Sequence, residues 1–344
     1  MKLLVTGGAG FIGSNFLNRF VSQNPEIQFL NLDALTYAGN PQNLVALNDL
    51  PNYLFYHCDL RDAERTREIV QEFQPTHIIH FAAESHVDRS ITGPQEFLES
   101  NILGTFNLLQ AAKELWQHNQ TVENVFHHVS TDEVYGSLGA EGLFQETTPY
   151  DPRSPYSASK AASDHIVRAY YHTFHLPVKI TNCSNNYGPY QFPEKLIPVI
   201  IQNATAGKPI PIYGDGLNVR DWLHVNDHCD ALWTVMTKGK VGETYNIGGN
   251  SERTNLQVVH EICSALAEQT DQPIEKYTDL ITFVTDRPGH DRRYAIDATK
   301  IKTELGWSPS ITFEEGIRQT VAWYLQNQPW IDAIKDGTYQ NIAL

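Results

Sequence analysis

The sequence predicts an α/β fold: a doubly wound, mostly parallel sheet, with a smaller, interleaved lobe drawn from the C-terminal half. Two observations carry that expectation. Strand-sized apolar runs alternate with helix-length stretches through the first half, the rhythm that places helices on both faces of a parallel sheet. The first run also passes directly into Thr6-Gly7-Gly8-Ala9-Gly10-Phe11-Ile12-Gly13, a G-x-x-G-x-x-G turn that opens a helix.

The elements follow in order. Leu3–Thr6 reads as a strand and Phe11–Gln23 as the helix after it. Gln28–Asp33 and Tyr53–Cys58 are further strands, with a helix over Arg61–Gln74. His77–Phe81 is a fourth strand, Asn101–His118 a helix, Val125–Ser130 a fifth strand, Tyr156–Thr173 a helix and Val178–Asn182 a sixth strand. The rhythm then changes. Asn185–Glu194, rich in Asn, Gly, Pro and aromatics, reads as a loop. Leu196–Ala206 is helical and the segment Pro209–Asp215 follows it. His228–Thr237 and Thr244–Ile247 read as a helix and strand returning to the main sheet. Leu256–Gln269 and Phe313–Gln326 are amphipathic helices, with Gly289–Arg293 and Pro309 in connecting loops. The expected division is a Rossmann-type domain over 1–182, rejoined by 217–248, and a second lobe over 183–216 and 249–344.

Composition excludes several classes. A length of 344 residues allows a substantial core, and 41% hydrophobic with 19% charged residues describes a globular chain rather than a disordered one. A net charge of -15 argues against a nucleic-acid surface, although a few placed arginines can still hold a diphosphate. Cys58, Cys183, Cys229 and Cys263 show neither CxxC nor Cys/His spacing, so buried thiols are expected rather than disulfides or a metal site. The chain starts straight into the first strand, with no signal peptide, and no apolar run approaches the roughly 18–20 residues of a membrane span. A cytoplasmic protein without a membrane partner is the expectation.

The glycine turn has a chemical use. Gly7, Gly10 and Gly13 let the backbone approach a pyrophosphate, while the helix start supplies N–H donors and the positive end of its dipole. Asp33 ends the second strand 20 residues beyond Gly13, where an acid can bond the adenosine ribose and repel a 2′-phosphate; NAD is therefore favoured over NADP. Asp59 and Leu60, after the third strand, suit a contact near the adenine. Phe81, Ala82 and Ala83, after the fourth, offer small residues where a dinucleotide crosses the sheet edge.

Catalytic candidates follow the fifth strand. Ser130-Thr131-Asp132-Glu133-Val134-Tyr135-Gly136 sits at the carboxyl edge of the sheet, where open α/β folds place their sites. Tyr156-Ser157-Ala158-Ser159-Lys160 puts a phenol and an ammonium one helical turn apart, and a nearby cation favours the phenolate that can take an alcohol's proton. Plain alcohol oxidation needs no acid pair such as Asp132-Glu133; oxidation followed by loss of water does. Each motif has a simpler reading: Y-x-x-x-K recurs by chance on helices, and Thr-Asp-Glu also describes an N-cap with first-turn acids.

The segments TGGAGFIGSN (6–15), AAESHVDRSI (82–91), STDEVYG (130–136), YSASK (156–160), NNYGPYQFPEKLIP (185–198), YGDGLNVRDWLHVND (213–227) and RPGHDRRY (287–294) together resemble the extended short-chain dehydrogenase/reductase family, nearly end to end. Within it they look like the branch that dehydrates nucleotide-activated hexoses, dTDP-glucose being the favoured substrate. The resemblance implies that Tyr156 takes the C4 hydroxyl proton, with Thr131 assisting, while hydride passes to NAD. Glu133 then removes the C5 proton, Asp132 protonates the departing C6 hydroxyl, and hydride returns to C6 and a proton to C5. Lys160 would also bond the nicotinamide ribose. The resemblance adds Ile12, Phe11, Leu35, Thr36, Ser100 and Asn186 to the cofactor contacts. For the nucleotide sugar it suggests Ser85, Asn185, Lys195, Leu196, Pro211, Tyr213, Arg220, Asn255, Arg287 and His290, and for assembly a homodimer through the helices 101–118 and 156–173. The alternatives are a 4,6-dehydratase of UDP-glucose or another nucleotide hexose, a UDP-hexose 4-epimerase, and an NAD-binding regulator without turnover.

Overall fold

The computed structural model describes residues 1–117, 123–286 and 291–341. Its strands are β1 (Lys2–Thr6), β2 (Gln28–Asp33), β3 (Tyr53–His57), β4 (His77–His80), β5 (Val125–Thr131), β6 (Val178–Cys183), β7 (Asn185–Tyr187), β8 (Ile210–Tyr213), β9 (Val219–His224), β10 (Thr244–Ile247), β11 (Glu252–Thr254) and β12 (Ile281–Val284). Seven of them form one sheet in the order β10-β6-β5-β4-β1-β2-β3. Every pairing in it is parallel. Such strands are covered on both faces, which is why β5 and β6 are buried at every residue.

Helices cover the two faces with separate cores. Phe11–Phe20 and Val225–Lys238 pack on one face, where Phe20 stacks on Trp233 at 4.4 Å between ring centroids. Ala63–Phe73, Gly104–Trp116 and Pro155–Phe174 bury residues such as Ile69, Leu108 and Val167 on the other. Each such side chain stabilises the fold by about 1.5–3 kcal/mol relative to leaving it in water. A third core lies in the smaller lobe, between the helices Leu196–Thr205, Asn255–Thr270 and Phe313–Gln326.

Helix starts are specified locally. Ser154 and Ser157 form a reciprocal capping box with Pro155 in the first turn, which fixes Tyr156 and Lys160 at the entry to their helix. Thr254 and Gln257 do the same for the helix Asn255–Thr270.

Several expectations are corrected. The stretch expected as a helix from Asn101 begins as a π-helical turn over Leu98–Leu103 and becomes α-helical only at Gly104; His118 lies outside the described residues. The wider turn carries Asn101 into the core, where its side chain accepts from Glu84 N at 2.8 Å and donates to Glu84 O at 3.0 Å and Ser159 Oγ at 2.8 Å. The expected loop 185–194 starts with β7, which pairs in parallel with β9 despite poor strand propensity, because Trp222–His224 offers it a backbone edge. Of the segment 217–248, only the helix Val225–Lys238 and β10 join the large sheet. Its first strand, β9, stays in a three-stranded sheet ordered β11-β9-β7. The segment 209–215 contains β8, which pairs with β12.

The turn between β10 and β11 lies against β9 with no slack: a Cβ on Gly249 would stand 1.9 Å from the Trp222 carbonyl oxygen. Gly249→Ala is therefore expected to cost about 1–3 kcal/mol, as other overpacked sites do. Equilibrium urea unfolding measures this; an unchanged midpoint would show that the turn can relax.

Candidate active site

The glycine turn is built by close backbone approach. Gly7 has φ +72°, and a Cβ there would meet Ala82 N at 2.6 Å. A Cβ on Gly13 would stand 2.3 Å from the Gly7 carbonyl oxygen, so only glycine lets the helix Phe11–Phe20 start this close to β1. Side chains from β2 fasten the turn: Asn31 Oδ1 accepts from Gly8 N at 3.1 Å and Asp33 Oδ2 from Ala9 N at 2.8 Å. Asp33 Oδ1 accepts from Leu35 N at 2.8 Å. Burial pushes the Asp33 carboxyl up, against the pull of those two N–H groups and of His57.

One cavity runs from this turn across the carboxyl ends of β2, β4, β5 and β6. Among the expected cofactor residues, Gly7, Gly10, Phe11, Ile12, Gly13, Asp33, Thr36, Asp59, Leu60, Phe81, Ala82, Ala83, Ser100 and Asn186 line it. Leu35 does not; it contributes its backbone N–H to Asp33 from a left-handed conformation, φ +48°. Asp59 is turned to Arg61, whose guanidinium approaches to 2.6 Å and, outweighing burial, holds the carboxyl below its usual range.

The catalytic candidates share the same cavity: Thr131, Asp132, Glu133, Tyr156 and Lys160 all line it. Thr131 ends β5 and caps the short helix Asp132–Tyr135, its Oγ1 accepting from Glu133 N at 3.3 Å. The simpler reading of Thr-Asp-Glu as a cap thus holds together with the cavity position. Asp132 is buried, with Oδ1 3.4 Å from Thr131 Oγ1 and Oδ2 unpaired among the described residues. Its carboxyl is pushed well above the usual range, first by burial and then by the charges of Glu133 and Asp221, with Arg220 and Thr131 opposing. Asp221, buried on β9, accepts from Gly249 N and Ser251 N and is itself raised to about 6 by burial.

Tyr156 and Lys160 lie in the cavity with further partners of their own. Lys160 Nζ donates to the Val129 carbonyl at 2.9 Å. Burial and the Glu133 charge push the Tyr156 phenol well above its usual range, although a hydrogen bond with Thr131 opposes them. Both effects disfavour the phenolate. Burial lowers Lys160, and Asp164, one turn further along the helix, acts against that.

The expected sugar-nucleotide residues divide into two groups. Ser85, Asn185 and Lys195 line the cavity with Thr131. Leu196, Pro211, Tyr213, Arg220 and Asn255 do not. Pro211 and Tyr213 belong to β8 in the two-stranded sheet, and Leu196 and Asn255 each begin a helix of the smaller lobe. Arg220 on β9 lies under the Tyr294 ring at 4.3 Å and donates to the carbonyls of Val219 and Asp291. Arg287 and His290 fall outside the described residues.

Cavity residues that sequence reasoning did not single out include Glu84, Cys183, Ser184, Gln191, Phe192 and Glu194. Their signal was position, directly after β4 and β6 and within the 185–198 segment. The cavity is made for a polar ligand: Ser130 Oγ, Asp132 Oδ2, Asn185 Oδ1, Asn186 Oδ1 and Gln191 Oε1 are buried with no hydrogen-bond partner among the described residues. An unsatisfied buried polar group costs about 1–3 kcal/mol, which a dinucleotide or sugar hydroxyl can offset. The glycine cradle and these atoms fit a nicotinamide dinucleotide.

The chain belongs to the GDP-mannose 4,6 dehydratase family, whose model matches residues 4–320. It is 57% identical over 341 residues to a dTDP-glucose 4,6-dehydratase of Xanthomonas campestris pv. campestris (strain B100), covering 98% of this chain and 97% of that one. Two solved dTDP-glucose 4,6-dehydratases have the same fold. The one from Bacillus anthracis str. Ames, in complex with NAD, superposes with a TM-score of 0.86 at 49% identity, covering 97% of this chain and 99% of that one. The one from Streptomyces venezuelae, also with NAD bound, gives 0.88 at 45% identity, covering 97% and 100%.

Because the native fold holds the Asp132 proton more tightly than the unfolded chain, the stability it contributes is greatest below the usual aspartate value and falls as pH rises above it. Asp132→Asn removes that loss. The melting temperature of the variant should gain on the wild type from about pH 4 upward. A difference that is constant with pH, followed by calorimetry, would mean Asp132 ionises without penalty.

Proposed function

We propose that this chain converts dTDP-glucose to dTDP-4-keto-6-deoxyglucose, using NAD that is regenerated within each turnover. The observation that carries the reading is the pair Asp132-Glu133 in one cavity with Thr131, Tyr156 and the glycine turn. The cofactor, when bound, supplies a reversible two-electron acceptor and a positive charge that offsets the burial penalty on an ionised Tyr156. Gly7, Gly10, Gly13 and Asp33 would hold it, and Lys160 would bond its ribose. Tyr156 exchanges the proton of the C4 hydroxyl, and Thr131 donates to that oxygen. Glu133 takes the C5 proton, which a C4 ketone makes acidic. Asp132 gives its proton to the departing C6 hydroxyl; a carboxyl held protonated by burial beside two other carboxylates suits that task.

The large-sheet portion (1–182, with 225–248) serves the cofactor, and 183–216 with 249–344 holds the nucleotide sugar. Ser85 serves the hexose, while Asn185, Lys195, Leu196, Pro211, Tyr213, Arg220, Asn255, Arg287 and His290 serve the nucleotide diphosphate. A cytoplasmic location fits four free, buried thiols.

A homodimer is supported by apolar side chains left open on the two long helices. Leu98 and Leu103 are about half exposed, and Phe106 meets Tyr170, which in turn meets Phe174, in a continuous aromatic row across both. Phe106→Glu should convert a dimeric mass to a monomeric one in light scattering; a wild-type protein that is already monomeric would remove the assembly reading.

The function is tested by mass spectrometry of dTDP-glucose incubated with purified protein and no added NAD. Loss of one water is expected. Unchanged mass with a galactose-configured product would indicate an epimerase, and reaction only with UDP- or other nucleotide hexoses would move the substrate. Glu133→Gln should build up reduced cofactor absorbing near 340 nm while product formation falls by about 10²–10⁴-fold, the usual worth of a positioned base. Product at the wild-type rate would show that another group removes the C5 proton.

A further inference from the structure

The segment from Gly188 to Lys195 forms one wall of the cavity and is tied to the loops beyond β2 and β4 by a cluster of side chains. The Tyr37 hydroxyl donates to Glu194 Oε1 at 2.9 Å, and Arg89 Nε lies 3.4 Å from Glu194 Oε2. The Arg89 guanidinium covers the Tyr37 ring at 3.7 Å, and His86 Nε2 stands 3.9 Å from the same carboxylate. Lys195 Nζ donates to the Ser85 carbonyl at 3.1 Å. Tyr37 is braced from behind: Tyr339 donates to its carbonyl at 2.7 Å, and Phe192 meets its ring edge-on at 5.5 Å. Nearer the glycine turn, Asn15 Nδ2 donates to the Pro189 carbonyl at 2.9 Å.

The two segments joined in this way stand on either side of the glycine turn. Thr36, Ala38 and Gly39 line the cavity from one, and Gln191, Phe192 and Glu194 from the other. Each also carries a non-glycine residue in the left-handed region, Leu35 at φ +48° and Tyr190 at φ +66°. Backbone of that kind persists where surrounding contacts over-determine it, and it concentrates at ligand clamps.

We propose that Tyr37, Arg89 and Glu194 form a clasp that holds the 188–195 wall over the dinucleotide and sets how slowly it leaves. The proposal rests on the cofactor reading above. A reaction that withdraws two electrons and returns them to the same sugar fails whenever the reduced cofactor escapes midway, so slow release has a direct chemical use. The three side chains are positioning residues; Tyr37 and Arg89 do not line the cavity. Burial and the Glu194 charge keep the Tyr37 phenol protonated, so it remains a donor to the carboxylate. Glu194 is mostly shielded whereas the Arg89 side chain is half exposed, so the Tyr37 bond carries the larger share and the ion pair is screened by salt.

The test is the release rate of bound NAD, followed by rapid gel filtration of the loaded holoenzyme. Tyr37→Phe keeps the ring under Arg89 and removes only the hydroxyl; release should quicken about tenfold, the worth of one hydrogen bond to a charged group. Arg89→Ala should quicken it about threefold or less and abolish the acceleration that added salt produces in the wild type. Melting temperatures of the cofactor-stripped proteins should match. Release at the wild-type rate from both variants would overturn the clasp. So would faster release accompanied by a lowered melting temperature of the stripped protein, since that marks a merely structural role. A wild-type protein that binds no nicotinamide dinucleotide would instead sink the cofactor reading itself.

Discussion

Backbone crowding at the carboxyl end of β1 is the constraint on which the site depends. A Cβ on Gly7 would stand 2.6 Å from Ala82 N, and one on Gly13 2.3 Å from the Gly7 carbonyl oxygen, so β1, β4 and the first helix converge where no side chain fits between them. Asn31 and Asp33 then capture the N–H groups of Gly8 and Ala9. The result is a fixed cradle lining the cavity, and the carboxyl ends of β2, β4, β5 and β6 deliver residues to its rim. Parallel pairing makes this possible, because every strand of the large sheet ends on the same edge.

Burial gives those side chains their chemistry. Asp33, Glu84, Asp132 and Asp221 all have carboxyls pushed upward by loss of water, whereas Asp59, gripped by Arg61, and Asp164, beside His128, are pulled down. A buried carboxylic acid beside like charges can donate, which is what eliminating a hydroxyl requires. The same burial opposes ionisation of Tyr156, so one low-dielectric setting raises both groups, helping an acid and hindering a base.

Much of this was legible in the sequence wherever the signal is local. The strands 28–33 and 244–247 and the helix 313–326 match their apolar runs residue for residue, and the glycine turn with Tyr156 and Lys160 marked the cavity correctly. What escaped depends on partners far along the chain. β7 is a strand because β9 lies beside it, and the π turn at 98–103 exists because Asn101 must reach Glu84. That Lys160 also bonds the Val129 carbonyl is a matter of where β5 passes, which no spacing reveals. One missed residue did leave a trace: Asn31 is a polar side chain in the middle of the apolar strand 28–33, and a buried amide there needs a backbone partner such as Gly8.

The return of β10 to the large sheet has a consequence for how the chain is made. β10 pairs with β6, from Thr244 opposite Ile180 to Ile247 opposite Cys183, yet the smaller lobe's first elements lie between them in the chain. A chain emerging from the ribosome can assemble β1 to β6 and still has the outer edge of β6 bare until residue 247 has been synthesised. During that interval the unpaired ladder is open to another nascent chain. The interleaving that lets one polypeptide carry both halves of the site therefore concentrates the risk of misassembly in a single stage of synthesis.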